Sequence, residues 1–98
     1  MSATVLIVDD EDTARNFISE ALSDAGHEAI EAGDLAEANK AIDTGSADIV
    51  LLDVVLPDGS GLTLLDRLIL ENPAPPVILI TAYAEVDTAV EAMKKGAQ

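Results

Sequence analysis

The sequence predicts an open α/β sheet in which parallel strands alternate with helices. Three observations carry this expectation. Short runs rich in Val, Ile and Leu recur at 5–8, 49–52 and 77–80, and they lack the polar alternation of a half-exposed strand, as strands buried on both faces should. Between these runs the apolar residues switch to helical spacing. The apolar content is mostly Ala, Leu, Ile and Val, with Phe17 and Tyr83 as the sole aromatics, which suits close packing of helices on a parallel sheet.

The elements follow in order. The first strand, 5–8, runs into Asp9 and Asp10. From Asp12 the period changes: Ala14, Phe17, Ile18, Ala21, Leu22 and Ala25 share one helical face, and Gly26 stops the helix. A second strand is expected over 27–32, around Ala29 and Ile30. Asp34 opens a second helix with Glu37 three residues on, in the manner of a capping box. Ala38, Ala41 and Ile42 line its inner face, and Gly45 closes it. The third strand, Ile49–Leu52, ends on Asp53. LPDGSG, at 56–61, reads as a loop by its Pro and two Gly. Leu62, Leu65, Leu68 and Ile69 mark a third helix that ends near residues 72–73, and PAPP at 73–76 is a stiff connector. The fourth strand, 77–80, ends on Thr81. Val86, Ala89, Val90 and Met93 give a fourth helix, closed by Lys94, Lys95 and Gly96. Strand and helix alternate four times, which implies right-handed crossovers with helices on both faces of the sheet. No linker or repeat interrupts the pattern, so residues 1–98 are read as one domain.

Composition removes several classes of function. There is no cysteine, hence no disulfide framework and no thiolate metal site. No apolar run approaches the roughly 18 residues of a membrane span. The N-terminus has no basic segment before its apolar run, so it is not a secretory signal, and a cytoplasmic location is expected. The formal net charge of −14 argues against direct contact with nucleic acid. It suits a cation or a basic protein partner, although solubility alone would also account for it.

The polar residues at the strand ends are more specific. Asp9 and Asp10 follow the first strand, Asp53 the third and Thr81 the fourth. In an open parallel sheet, ligands bind outside the carboxyl ends of the strands, where the strand order reverses. With the order 2-1-3-4, the first and third strands are neighbours at that point, and Asp9, Asp10 and Asp53 converge. Three carboxylates in one pocket repel each other. A hard divalent cation with oxygen ligands relieves this, and Mg2+ fits such a donor set better than Zn2+. A carboxylate beside Mg2+ can act as a nucleophile on phosphorus, and the Thr81 hydroxyl can then bond a phosphoryl oxygen. A single Asp at a strand end is usually a turn residue or a helix cap, as Thr81 could be too; the coincidence of all four is what favours a pocket. His27 reads as a surface residue without a role. Gly59 and Gly61 read as turn chemistry, since the rest of a nucleotide-binding pattern is lacking.

VLIVDDE (5–11), DIVLLDVVLPDGSGL (48–62) and VILITAY (77–83), followed by AVEAMKKGA, resemble a response-regulator receiver domain of two-component signalling. The closing segment is most similar to receivers of nitrogen-regulation-type transcriptional activators. The resemblance implies a flavodoxin-like doubly wound sheet of order 2-1-3-4. It also implies a phosphoacceptor that catalyses only its own phosphorylation and dephosphorylation, not an enzyme. By position, Asp53 matches the acceptor of a phosphoryl group from a sensor histidine kinase. Asp10 matches the main carboxylate ligand of Mg2+, Asp9 a ligand acting through water, and Val55 the residue whose backbone carbonyl binds the metal. Thr81 matches the switch hydroxyl, and Ala82 an N–H that contacts the phosphoryl group. Pro57 and Gly61 match the turn after the acceptor, while Val55 and Tyr83 match variable positions that tune hydrolysis and partner choice.

The sequence also departs from the family. A complete receiver continues into a fifth strand and helix bearing a lysine and an aromatic switch residue, so the resemblance implies that the fifth βα unit is missing. That leaves the fourth strand as an open apolar edge, and a homodimer through this strand or through the fourth helix is expected. A receiver reduced to a non-switching binding or dimerisation module is the alternative. A Mg2+-dependent phosphatase using the D-x-D of Asp10 and Asp12 is a third reading, disfavoured by the lack of a cap domain and of a phosphate-binding lysine.

Overall fold

The computed structural model describes residues 2–45, 47–71, 74–80 and 94. Along the chain the elements are β1 (Thr4–Val8), α1 (Asp12–Asp24), β2 (Glu28–Ala32), α2 (Leu35–Thr44), β3 (Ile49–Leu52), β4 (Val55–Leu56), β5 (Gly59–Ser60), α3 (Gly61–Leu68) and β6 (Val77–Leu79). β2, β1, β3 and β6 lie side by side in that order, all parallel. This is the expected 2-1-3-4 arrangement, with β6 as the fourth strand of the sheet. The fourth helix expected over 86–93, together with Thr81, Ala82 and Tyr83, lies outside the described residues.

Successive side chains of a strand point to opposite faces, and the two faces differ here. Leu6, Val8, Val50, Leu52 and Val77 form one core with Ala38 of α2 and Leu64, Leu65 and Leu68 of α3. The parallel register sets Leu6 beside Val50 and Val8 beside Leu52, so this face is continuous across the sheet. Leu64, Leu65 and Leu68 are at most 2% exposed, and burial of each contributes roughly 1.5–3 kcal/mol. On the other face Val5 and Ile7 are buried under α1.

Helix α1 departs from the periodic reading. Its sheetward stripe is Ala14, Arg15, Ile18 and Leu22, all partly buried, whereas Phe17 is 74% exposed. Phe17 and Ala21 sit on the flank of that stripe away from Arg15, and both are exposed. The helix ends as its glycine suggests. Gly26 has φ of 86°, its N–H bonds the Ser23 carbonyl, and the His27 N–H bonds the Leu22 carbonyl, which is a Schellman closure. His27 is part of the structure: its Nδ1 accepts the Ala3 N–H at 3.0 Å, joining this corner to the start of β1.

At the start of α2 the Asp34 carboxylate accepts the Glu37 N–H at 2.7 Å. The other free N–H groups of that turn are met from elsewhere. Asp58 accepts from Leu35 at 2.8 Å and from Ala36 at 3.1 Å. The segment read as a plain loop is thus a small antiparallel hairpin, pairing Val55 with Ser60 and Leu56 with Gly59. Gly59 makes its turn at φ of 147°, a conformation only glycine adopts readily, and Leu56 anchors the hairpin in the core.

Candidate acid pocket at the strand ends

Val8 and Leu52 are register partners at the ends of β1 and β3, so Asp9 and Asp53 leave the sheet side by side. The Asp53 N–H continues the ladder to the Val8 carbonyl at 2.8 Å, and the Asp9 N–H bonds the Ala32 carbonyl of β2 at 3.0 Å. The chain crosses from one side of β1 to the other at this point, which makes it the switch point of the sheet. Carboxylate oxygens of Asp9, Asp10 and Asp53 all lie within 4.8 Å of one another. Asp9 is buried, Asp53 half-buried and Asp10 exposed, so the cluster grades from the interior to solvent. Glu11, Ala14, Val55 and Ile80 complete the walls of a cavity of about 210 Å³.

Two of the three acids are also turn residues. Asp9 Oδ1 accepts the Glu11 N–H at 2.9 Å, and Asp53 Oδ1 accepts the Val55 N–H at 3.1 Å. Each bond fixes one oxygen of its carboxylate. The second oxygens extend a donor set made wholly of oxygen, which suits a hard divalent cation. Val55 lines the same cavity, in the hairpin that starts two residues after Asp53. Ile80 reaches the pocket wall with its N–H on the Leu52 carbonyl at 3.0 Å. Thr81 and Ala82, the two expected contacts that come next in sequence, are outside the described residues. Asp12 does not join the cluster; its carboxylate binds Arg15.

Gly61 packs against the backbone of Asp53. A Cβ there would collide with the Asp53 carbonyl oxygen and stand 3.1 Å from both Leu52 Cδ1 and the Val54 Cα. The Gly61 N–H bonds the Val54 carbonyl at 2.7 Å. The first turn of α3 therefore lies directly against the backbone of Asp53, where a side chain has no room.

Sequence reasoning missed two residues. Arg15 donates from Nη1 to the Asp9 backbone oxygen at 2.6 Å, from Nε to Glu31 at 3.2 Å, and from Nη2 to Asp12. Burial disfavours its charge, but hydrogen bonding and attraction to Asp12, and then Glu31, prevail and raise its pKa above the ordinary value. The available signal was a lone cation on the apolar stripe of α1. Asp58, the tie between the hairpin and α2, gives no signal in sequence beyond an acid in a turn.

An open parallel sheet with acids gathered at its switch point defines a doubly wound α/β domain with an acidic pocket. More narrowly, the family model for the response regulator receiver domain matches residues 5–98, and the chain belongs to that family. It is 42% identical over 93 residues to the probable transcriptional regulatory protein TcrX of Mycobacterium tuberculosis, covering 95% of this chain and 40% of that protein. A response regulator protein from Burkholderia pseudomallei, solved with a phosphorylated aspartic acid, a calcium ion and citrate, has a TM-score of 0.90 at 28% identity, covering 97% of this chain and 56% of that one. The beryllofluoride-activated NtrC4 receiver domain dimer has a TM-score of 0.86 at 40% identity, covering 96% of this chain and 78% of that one. The chain spans less than half the length of the curated relatives it matches. No helix among the described residues is long and apolar enough to cross a membrane.

Proposed function

We propose that the chain is a phosphorylatable receiver acting in the cytoplasm, whose Asp53 accepts a phosphoryl group from a sensor histidine kinase with the help of Mg2+. The observation that carries this reading is the grouping of three carboxylates from two strand ends within 4.8 Å at the switch point. The solved Burkholderia relative, with its phosphorylated aspartic acid and calcium ion, supports the same chemistry here.

Each residue has a part. Asp10, exposed at the rim, is the direct carboxylate ligand. Asp9, buried with one oxygen held by the Glu11 N–H, acts through a water. Asp53 and the Val55 carbonyl complete the protein ligands. When bound, Mg2+ offsets the charge that would repel an incoming phosphoryl group. An Asp53 oxygen attacks phosphorus; the new P–O bond forms as the P–N bond to the kinase histidine breaks, and the electron pair leaves on the imidazole. The Val55 N–H sets the rotation of the Asp53 carboxylate before the attack. The Thr81 hydroxyl and the Ala82 N–H receive the phosphoryl oxygens.

The test is incubation with acetyl phosphate and Mg2+, followed by intact mass measurement. A hydroxylamine-labile phosphoryl adduct is expected in the wild type and not in Asp53→Asn. An adduct that persists in Asp53→Asn, or none in the wild type, sinks the assignment. The phosphatase reading is weakened by the engagement of Asp12 with Arg15. The binding-module reading keeps one point in its favour. Among the described residues β6 lies at an edge of the sheet, and its Ile78 is 41% exposed. Such an edge pairs readily with a second copy, and the NtrC4 receiver dimer supports a homodimer here. Sedimentation with and without beryllofluoride separates a constitutive dimer from one that depends on phosphorylation.

A further inference from the structure

Arg15 lies in the sheetward stripe of α1 with Ala14, Ile18 and Leu22, and its side chain is only 14% exposed. Its guanidinium connects three segments: the turn carrying Asp9 and Asp10, through the Asp9 carbonyl; β2, through Glu31; and the first turn of α1, through Asp12. The β2–α2 turn closes over it, since a Cβ on Gly33 would stand 3.3 Å from Nη1. The planar fork is thus held on several sides. The turn it grips is the one that must keep two carboxylates close to a third against mutual repulsion.

We infer that Arg15 is a positioning residue of the acid pocket, clamping the Asp9 carbonyl to Glu31 and Asp12 so that the Asp9 and Asp10 carboxylates stay facing Asp53. The inference deepens the cation-binding reading and rests on it. Arg15 makes no contact with the cation; it acts through the Asp9 backbone. A lysine cannot replace it, because an ammonium on a flexible stem does not hold three acceptors in the plane of a fork.

Calorimetric titration with Mg2+ tests this on the wild type, Arg15→Ala, Arg15→Lys and Glu31→Gln, with circular dichroism and urea unfolding on each. Arg15→Lys is expected to remain folded and to lose about 10- to 100-fold in Mg2+ affinity, the range for groups that orient metal ligands. Glu31→Gln should lose less in the same direction. A clamp that served stability alone would lower the urea midpoint and leave the affinity of the folded protein unchanged. A folded Arg15→Lys with wild-type affinity therefore overturns the inference. If Arg15→Ala does not fold, Arg15→Lys and Glu31→Gln decide. A wild type that binds no Mg2+ would defeat the cation reading instead. The positioning claim is then decided by amide NMR shifts: Arg15→Lys should move Asp10, Glu11 and Asp53, and changes confined to α1 and β2 overturn it.

Discussion

At Gly61 the absence of one methyl group decides how closely α3 can approach the Asp53 backbone. Gly61→Ala must push the Asp53 carbonyl or the helix aside. Overpacking of this kind costs about 1–3 kcal/mol, which urea unfolding reads directly. Because the displaced group is the backbone of Asp53, a member of the acid cluster, Mg2+ affinity should fall as well; a variant that loses stability but binds as before would show that the two are separable. Asp58 offers a test by pH. Its hydrogen bond from the Leu35 N–H, aided by the Ala36 N–H and opposed by desolvation, lowers its carboxyl below the ordinary 3.8. A lowered folded value means that the stabilisation is complete above the unfolded value and is lost as pH falls through the folded one. Asp58→Asn should therefore be less stable than the wild type near neutrality, and the gap should close in acid. Urea midpoints measured across that range check the sign.

The elements show where sequence patterns suffice and where they fail. Three of the four strands of the sheet were legible because their apolar runs stop at a polar residue and are too short to be helices. Helix α3 was legible by its leucines. Leu65 is fully buried against the sheet, so Leu65→Ala should cost about 2–5 kcal/mol. Phe17, which shares the apolar spacing of α1, is the contrasting case. Its ring is mostly in solvent, and Phe17→Ala should change stability by no more than about 0.5 kcal/mol. Periodicity identifies a stripe but not its edges, which depend on the elements beneath it. The hairpin of β4 and β5 escaped because strands of two residues have no period to read. Arg15 and Asp58 escaped for a different reason: Glu31, Leu35 and Ala36 are distant in sequence and meet them only in the fold.

Across the whole molecule the acid cluster is the feature most open to perturbation. A ligand that binds only the folded state raises stability with its concentration, by about 2.7 kcal/mol at a hundred times its dissociation constant. Mg2+ should accordingly raise the melting temperature of the wild type and leave that of Asp10→Asn nearly unchanged, as calorimetric scans with and without the ion would show. The sheet order was legible through the resemblance to receiver domains, and with that order the first and third strands are neighbours and Asp9, Asp10 and Asp53 converge. One consequence of that pairing concerns time. β1 and β3 are joined through α1, β2 and α2, so no short peptide from this chain contains the pocket, and an early intermediate with only local structure has nothing to offer an ion. An unfolding molecule with Mg2+ bound, by contrast, would have to release the ion before Val8 and Leu52 could part. Mg2+ should therefore slow unfolding far more than it speeds folding, lowering the unfolding limb of a stopped-flow chevron while the folding limb stays in place.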